Sequence, residues 1–187
     1  LVKENDFDFI VTAHHQDDNV ETFLINLIRG TGINGFTGIK AKNKNIIRPL
    51  IQISSNEIRD YLHQREIIYC NDSSNLDIKY LRNKIRNQII PLLKEANPNI
   101  QQTIAEEIFL LNGVNKMFQQ QIDIIKKRFV IEKNGCYKIN INDLMALGNL
   151  EIILFEILRP FGFKDILQII RTIGSQSGKQ FFSVNYQ

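Results

Sequence analysis

The densest set of chemically useful side chains is His14-His15-Gln16-Asp17-Asp18-Asn19-Val20-Glu21-Thr22, where two imidazoles and three carboxylates fall within nine residues. Polar residues packed at a strand's end need a purpose, and imidazoles beside carboxylates are a site candidate whose types also allow a metal hydrolase. The block follows an apolar run, Phe9 to Ala13, that reads as a buried strand, and it opens a helix with Val20, Phe23, Leu24, Leu27 and Ile28 on one apolar face. At about 100° per residue, Asp18, Thr22 and Arg29 lie within roughly 40° of one another on the opposite face, with Glu21 toward its margin. Ligands of open α/β sheets bind beyond the carboxyl ends of the strands, which marks this face as a candidate site. The periodicity leaves one alternative open: a solvated face whose carboxylates suit the helix N-terminus.

A second set is basic. Arg82 and Arg86 are four apart in Tyr80-Leu-Arg-Asn-Lys-Ile-Arg86 and share a helix face, while Leu81, Ile85 and Ile89 point elsewhere. Two planar guanidiniums suit a phosphate or an acidic partner, and salt bridges to Asp72 or Asp77 are the alternative. Between the two sets, Gly30, Gly32, Gly35 and Gly38 read as a mobile cover over a ligand, since their spacing matches neither a Walker nor a dinucleotide loop.

The elements that position these residues can be read from the pattern. Asn45 to Ile53 is a short strand that Pro49 places at an edge or a strand end. Ser54-x-x-Glu57 is a capping box for the next helix, in which His63 is an exposed residue. Cys70 to Asp77 is dense in turn formers. Asn97-Pro98 starts a long helix, along which Ile104, Ile108, Leu111, Asn115, Phe118, Ile122, Ile125 and Phe129 form a heptad seam for a partner helix. Asn134-Gly135 is a turn, Cys136 to Ile141 a strand, and Asn142 or Asp143 caps a helix that resumes at Leu150 to Leu158. Asp165 opens another helix that Gly174 closes, and Phe182-x-Val184-x-Tyr186 alternates like a strand. Composition turns from α/β to mostly helical near Pro91 to Pro98, where a domain boundary is expected.

With 187 residues the chain can bury a sizeable core, and no apolar run reaches membrane-spanning length. A net charge of +3 announces no bulk affinity for nucleic acid, so any basic surface is local. The two cysteines, Cys70 and Cys136, form no C-x-x-C pair, which argues against a zinc knuckle or disulfide framework and for a reducing cytoplasm. Leu1 to Asp6 has neither a basic n-region nor a cleavage motif, so no signal peptide is expected, and the absence of a starting methionine reads as an excerpt of a longer protein.

Taken together, Ala13-His-His-Gln-Asp-Asp-Asn-Val-Glu-Thr22, Leu27-x-Arg29-Gly-Thr-Gly32, Ile47-Arg-Pro-Leu50, Asp72-Ser-Ser-Asn75 and Tyr80-Leu-Arg-Asn-Lys-Ile-Arg86 closely resemble the tRNA(Ile)-lysidine synthase family. The resemblance is specific over residues 7 to about 94 and pattern-level beyond, where Ser177-Gly178-Lys179 resembles the start of a C-terminal part. It implies an α/β fold: a partial Rossmann-like, adenine nucleotide alpha hydrolase-like parallel-sheet domain, followed by a mainly helical domain. The implied divisions are 1–95, the C-terminal portion of a PP-loop ATPase catalytic domain; 96–174, a helical central domain; and 175–187, the start of a truncated C-terminal region.

The implied activity is a carbon–nitrogen ligation. The family adenylates the C2 oxygen of the wobble cytidine in tRNA(Ile) with the CAU anticodon, and the ε-amine of free L-lysine then attacks C2 and displaces AMP to give lysidine. By resemblance, His15, Asp18, Glu21, Thr22 and Arg29 bind ATP, Asp18 and Arg82 are catalytic, Asp18 meets Mg²⁺, and Lys84 and Arg86 contact tRNA. His14 supports the site. A cytoplasmic location without membrane attachment is implied, and a homodimer is allowed. The family's Ser-Gly-Gly-x-Asp-Ser loop does not occur in the sequence. The expectation is therefore a fragment lacking the N-terminal PP-loop, inactive alone. Alternatives are a tRNA 2-thiolation enzyme, disfavoured by the missing C-x-x-C; a metal hydrolase, disfavoured by the want of a second His cluster; and a non-catalytic tRNA-binding fragment.

Overall fold

Of the apolar run, only Ile10–Val11 forms a strand, β1. It pairs in parallel with β3, Ile46–Ile47, and β2, Lys42–Asn43, runs antiparallel on the far side of β3, giving the order β1-β3-β2. This computed structural model describes residues 7–69, 81–163, 165–173 and 180–183. Two expectations are corrected here. The run is not buried: Phe9 and Val11 are 48% and 64% exposed, and among the described residues β1 pairs with β3 alone, through Ile10 N–H to Asn45 O and Thr12 N–H to Ile47 O. Nor does the strand run from Asn45 to Ile53: β3 is Ile46–Ile47 alone, and Pro49 stands past its end, one of the two places expected for it, in the turn where a missing N–H costs no ladder bond.

Helix α1, Gln16–Arg29, links β1 toward β3 and ends at Gly30, whose φ of 65° sets the left-handed C-cap. Its apolar face is buried only in the first turns, at Val20 and Leu24; Leu27 and Ile28 are exposed. The glycine-rich stretch, which includes the short helix α2, Ile33–Phe36, is not a loose cover. Asn26 Nδ2 donates to Gly35 O at 2.7 Å, Ile39 N–H to Asn19 Oδ1 at 2.6 Å, and Asn112 Nδ2 to Thr37 O at 2.9 Å. Phe36 packs on Phe23 with ring centroids 5.5 Å apart. Three carboxamides, two of them on α1, thus fasten the stretch.

Helix α3, Ser55–Gln64, begins at the expected capping box, with Ser54 N–H donating to Glu57 Oε2 at 2.8 Å and Glu57 N–H to Ser54 Oγ at 3.2 Å. Helix α4, Leu81–Lys84, continues through a π-turn, Ile85–Ile89, into α5, Ile90–Ala96. The widened turn has a cause. Pro91 has no N–H to give and its ring crowds the carbonyl four residues back, so the ladder steps to Ile90 N–H on Ile85 O. Helix α6, Ile100–Phe129, is the long helix read from the seam. The seam does not lie along a single partner helix: Ile104 and Ile108 close a core with Val20, Leu24, Ile85 and Ile90, whereas Ile122 closes another with Leu144, Ile153, Leu154 and Ile157.

The chain divides accordingly into two compact units, 1–115 and 116–187. That division falls within α6, at the seam's polar position, and later in the chain than the compositional change. In the second unit, β4, Val130–Lys133, and β5, Cys136–Ile139, form a hairpin whose turn residues Asn134 and Gly135 both have positive φ, 54° and 74°. Helix α7, Ile141–Met145, is capped by Asn140 rather than by Asn142 or Asp143, the Asn140 side chain accepting from Asp143 N–H. Helix α8, Leu150–Leu158, passes through a 3₁₀ turn, Arg159–Phe161, and α9, Ile166–Arg171, is capped by Asp165. The expected features at Cys70 to Asp77, Tyr80, Gly174, Ser177 to Lys179, and Val184 and Tyr186 lie outside the described residues.

Gly38 shows how closely the fastened stretch is built. It has φ of 65°, and a Cβ there would stand 2.1 Å from Asn19 Oδ1, the acceptor that holds Ile39. Gly38→Ala is expected to lower unfolding stability by about 1–3 kcal/mol in urea titration, through the strained φ and the displaced carboxamide. A midpoint equal to wild type would show that the stretch adapts freely.

Candidate active site

The site is built on the first two turns of α1. Asp18 Oδ2 accepts the backbone N–H of His15 at 3.0 Å and lies 3.5 Å from His15 Nε2. His15 Nδ1 is buried without a hydrogen-bond partner among the described residues, and His14 Nδ1 is 2.9 Å from Thr12 Oγ1. One turn on, Thr22 Oγ1 donates to Asp18 O at 2.8 Å and accepts from Arg82 Nη2 at 3.1 Å. Glu21 lies between them and is only 1% exposed.

Arg86 holds that buried carboxylate with a two-pronged grip, Nε to Oε1 at 2.6 Å and Nη2 to Oε2 at 3.1 Å, and reaches Asp18 Oδ1 at 3.4 Å. Arg82 Nε adds a longer contact to Glu21 Oε2 at 3.7 Å. Burial pushes the Glu21 carboxyl above its ordinary value, and the Arg86 hydrogen bonds pull it back only in part. The same contact, made to a carboxylate, raises Arg86 above the usual guanidinium range. Asp18, Glu21, Thr22, Arg82 and Arg86 are therefore one connected cluster, joining α1 to the α4–α5 helix.

Beside it opens a cleft of about 590 Å³, lined among others by His15, Asp17, Glu21, Arg59, Arg86 and Lys94. Ser55 Oγ donates to the Asp17 carboxylate across it. Asp17, Ser55, Arg59 and Lys94 were not singled out from the sequence as one site. The available signal was the capping box at Ser54, which fixes where α3 starts; that α3 starts opposite Asp17 is a tertiary fact.

Two expected members sit elsewhere. Arg29, eleven positions beyond Asp18, shares its angular sector but lies roughly 16 Å further along the helix, and is exposed. Lys84 is exposed on the helix that carries Arg82. Arg86, read as a phosphate contact, faces inward onto two carboxylates. No group of three or more His, Cys, Asp or Glu side chains able to hold a metal ion occurs among the described residues, and Asp18 is already engaged by Arg86 and the His15 N–H. These residues alone do not fit a Mg²⁺ cage. His63 stands edge-on to Tyr69 on α3, away from the cluster.

A family model described as a PP-loop domain matches residues 1–93, and one described as the TilS substrate binding domain matches 132–187. A curated protein named tRNA(Ile)-lysidine synthase from Bacteroides thetaiotaomicron is 42% identical over 180 residues, covering 95% of this chain and 41% of that protein. The chain belongs to the tRNA(Ile)-lysidine synthase family. Synthases of the same name from Parabacteroides distasonis and Porphyromonas gingivalis are 37% and 34% identical, covering 94% and 100% of this chain but 40% and 41% of their own lengths. The chain thus spans about two fifths of these relatives. The PP-loop domain match over residues 1–93 corrects the expectation of a fragment lacking the N-terminal PP-loop, and the α/β half, with the Asp18 cluster, falls inside it. No helix among the described residues is long and apolar enough to cross a membrane.

The raised Glu21 carboxyl carries a pH signature. The cost of its ionised form is absent below the ordinary value of 4.5 and complete above the raised folded value, so this site's contribution to stability falls as pH rises through that window. The neutral isostere Glu21→Gln escapes that loss. The difference in Tm, variant minus wild type, is expected to grow in favour of Glu21→Gln between pH 4.5 and 7.5; a difference that shrinks would show that Arg86 more than offsets burial.

Proposed function

We propose that this chain is the lysidine-forming part of a PP-loop tRNA ligase: it activates C2 of the wobble cytidine in CAU-anticodon tRNA(Ile) with ATP, and the ε-amine of free L-lysine displaces AMP. The observation that carries the reading is the Asp18–Glu21–Arg86 cluster, with Arg82 and Thr22 against it, inside the region matched as a PP-loop domain. Ligation needs two opposite electrostatic services. An incoming ammonium must be drawn in and deprotonated, and charge building on departing pyrophosphate must be offset.

The geometry offers both. Asp18, held in place by the His15 N–H and Arg86, is the carboxylate that meets the amine. Arg82, whose side chain is 41% exposed, faces the developing negative charge. His15 and Thr22 border the nucleotide. Arg86 acts through Glu21 as a positioning residue, which leaves Lys84, exposed nearby, to meet tRNA phosphate. ATP and tRNA are substrates in this reading, Mg²⁺ enters no step of it, and the compartment that supplies them is the cytoplasm.

The decisive experiment uses the full-length gene product with labelled lysine, ATP and a CAU-bearing tRNA(Ile) transcript. Lysine incorporation dependent on ATP is expected. Asp18→Ala is expected to lower it roughly a hundredfold or more while far-UV circular dichroism is retained. Lysine-independent turnover, or sulfur incorporation in its place, would overturn the assignment; normal ligation by Asp18→Ala would remove Asp18 from it.

A further inference from the structure

In the second unit, the end of α6, the β4–β5 hairpin and the 3₁₀ turn after α8 enclose a cleft of about 330 Å³ that the ligation reading does not use. Its floor is apolar, with Ile157 1% exposed. Its wall is aromatic: the rings of Tyr137 and Phe161 are 4.8 Å apart at their centroids and tilted by 57°, and Tyr137 is 41% exposed. Lys126 and Lys127 line its basic side, and neither ammonium makes an ion pair among the described residues. Glu132 stands at the edge, directly across the ladder from Tyr137. Cations in the last turn of α6 suit the helix dipole, which accounts for a basic helix end but not for an aromatic-walled cleft beside it.

We propose that this cleft is a subsite for one unstacked nucleotide of single-stranded or looped RNA, the base lying on Tyr137 and Phe161 and the flanking phosphates meeting Lys126 and Lys127. Each component has a separate chemical reason. Stacking on an aromatic face accepts any base, two lysines serve as point charges for a backbone, and a carboxylate at the rim accepts from an exocyclic amine. The volume is at the small end of ligand pockets, which suits one nucleotide rather than a duplex groove. The inference rests on the reading above in one respect, that the RNA concerned is tRNA.

The test uses the 187-residue chain, a single-stranded hexaribonucleotide carrying 2-aminopurine, and a CAU-bearing tRNA(Ile) transcript. Wild type is expected to quench the 2-aminopurine as it stacks. Tyr137→Leu, which keeps an apolar wall, is expected to abolish the quench and weaken tRNA binding about fivefold or more. Lys126→Ala with Lys127→Ala is expected to flatten the slope of log Kd against log salt by one to two, and covers the case in which Tyr137→Leu fails to fold. Unchanged quenching and an unchanged salt slope in well-folded variants would overturn the subsite while leaving tRNA ligation intact. Quenching of the hexamer without any binding of tRNA would keep the subsite and overturn tRNA as the partner. Failure of wild type to bind either RNA would overturn both.

Discussion

The interaction on which the first unit depends is the burial of Glu21 against Arg86. A carboxylate removed from water inside an apolar core is costly unless charge and hydrogen bonds meet it, and here Arg86 supplies both while Arg82 adds charge. The consequence is mechanical as well as electrostatic. Glu21 is flanked by Val20 and Leu24 on the buried side of α1, so Arg86 must reach into the seam where α1 meets the α4–α5 helix. Once there, the Nη2 that binds Glu21 also reaches Asp18, and Arg82 one turn earlier arrives at Thr22. The polar cluster and the hydrophobic core with Ile85 and Ile90 therefore have to form in the same register.

That register depends on the π-turn at Ile85–Ile89. Pro91 widens the helix over the turn that contains Arg86, which absorbs a residue without ending the helix. Arg82, before that turn, and Arg86, within it, both reach α1, while Ile90 and Leu93 beyond it pack into the core with Ile100 and Ile104. A proline that in isolation reads as a helix start or stop is, in place, what lets one helix serve a charged site at one end and an apolar core at the other.

Much of this was legible in the sequence where the signal is local. The Ser54 capping box, the Asn134-Gly135 turn, the Asp165 cap and the length of α6 all depend on residues within one or two turns of each other, and they formed as their spacing requires. The site was legible as a set of residues, because Asp18, Glu21 and Thr22 share the start of one helix. It was not legible as a geometry. Whether Arg86 meets a phosphate or a buried carboxylate is decided by a partner 65 positions away, and an arginine with its neighbours reads the same in both cases. Carboxamides were similarly silent: nothing in the spacing of Asn19, Asn26 and Asn112 marks them, yet they fasten the glycine-rich stretch that glycine density alone suggests is loose.

The two units also differ in how they hold charge, and the difference bears on what each can do. In the first, Arg82 and Arg86 are held on carboxylates, so a ligand entering that cluster must compete with Asp18 and Glu21 for them. In the second, Lys126 and Lys127 stand beside aromatic rings with no ion pair among the described residues, which leaves their charge available to a polyanion without displacing a partner. Availability of charge, set by pairing, thus matters more at each site than the net charge of +3 summed over the chain.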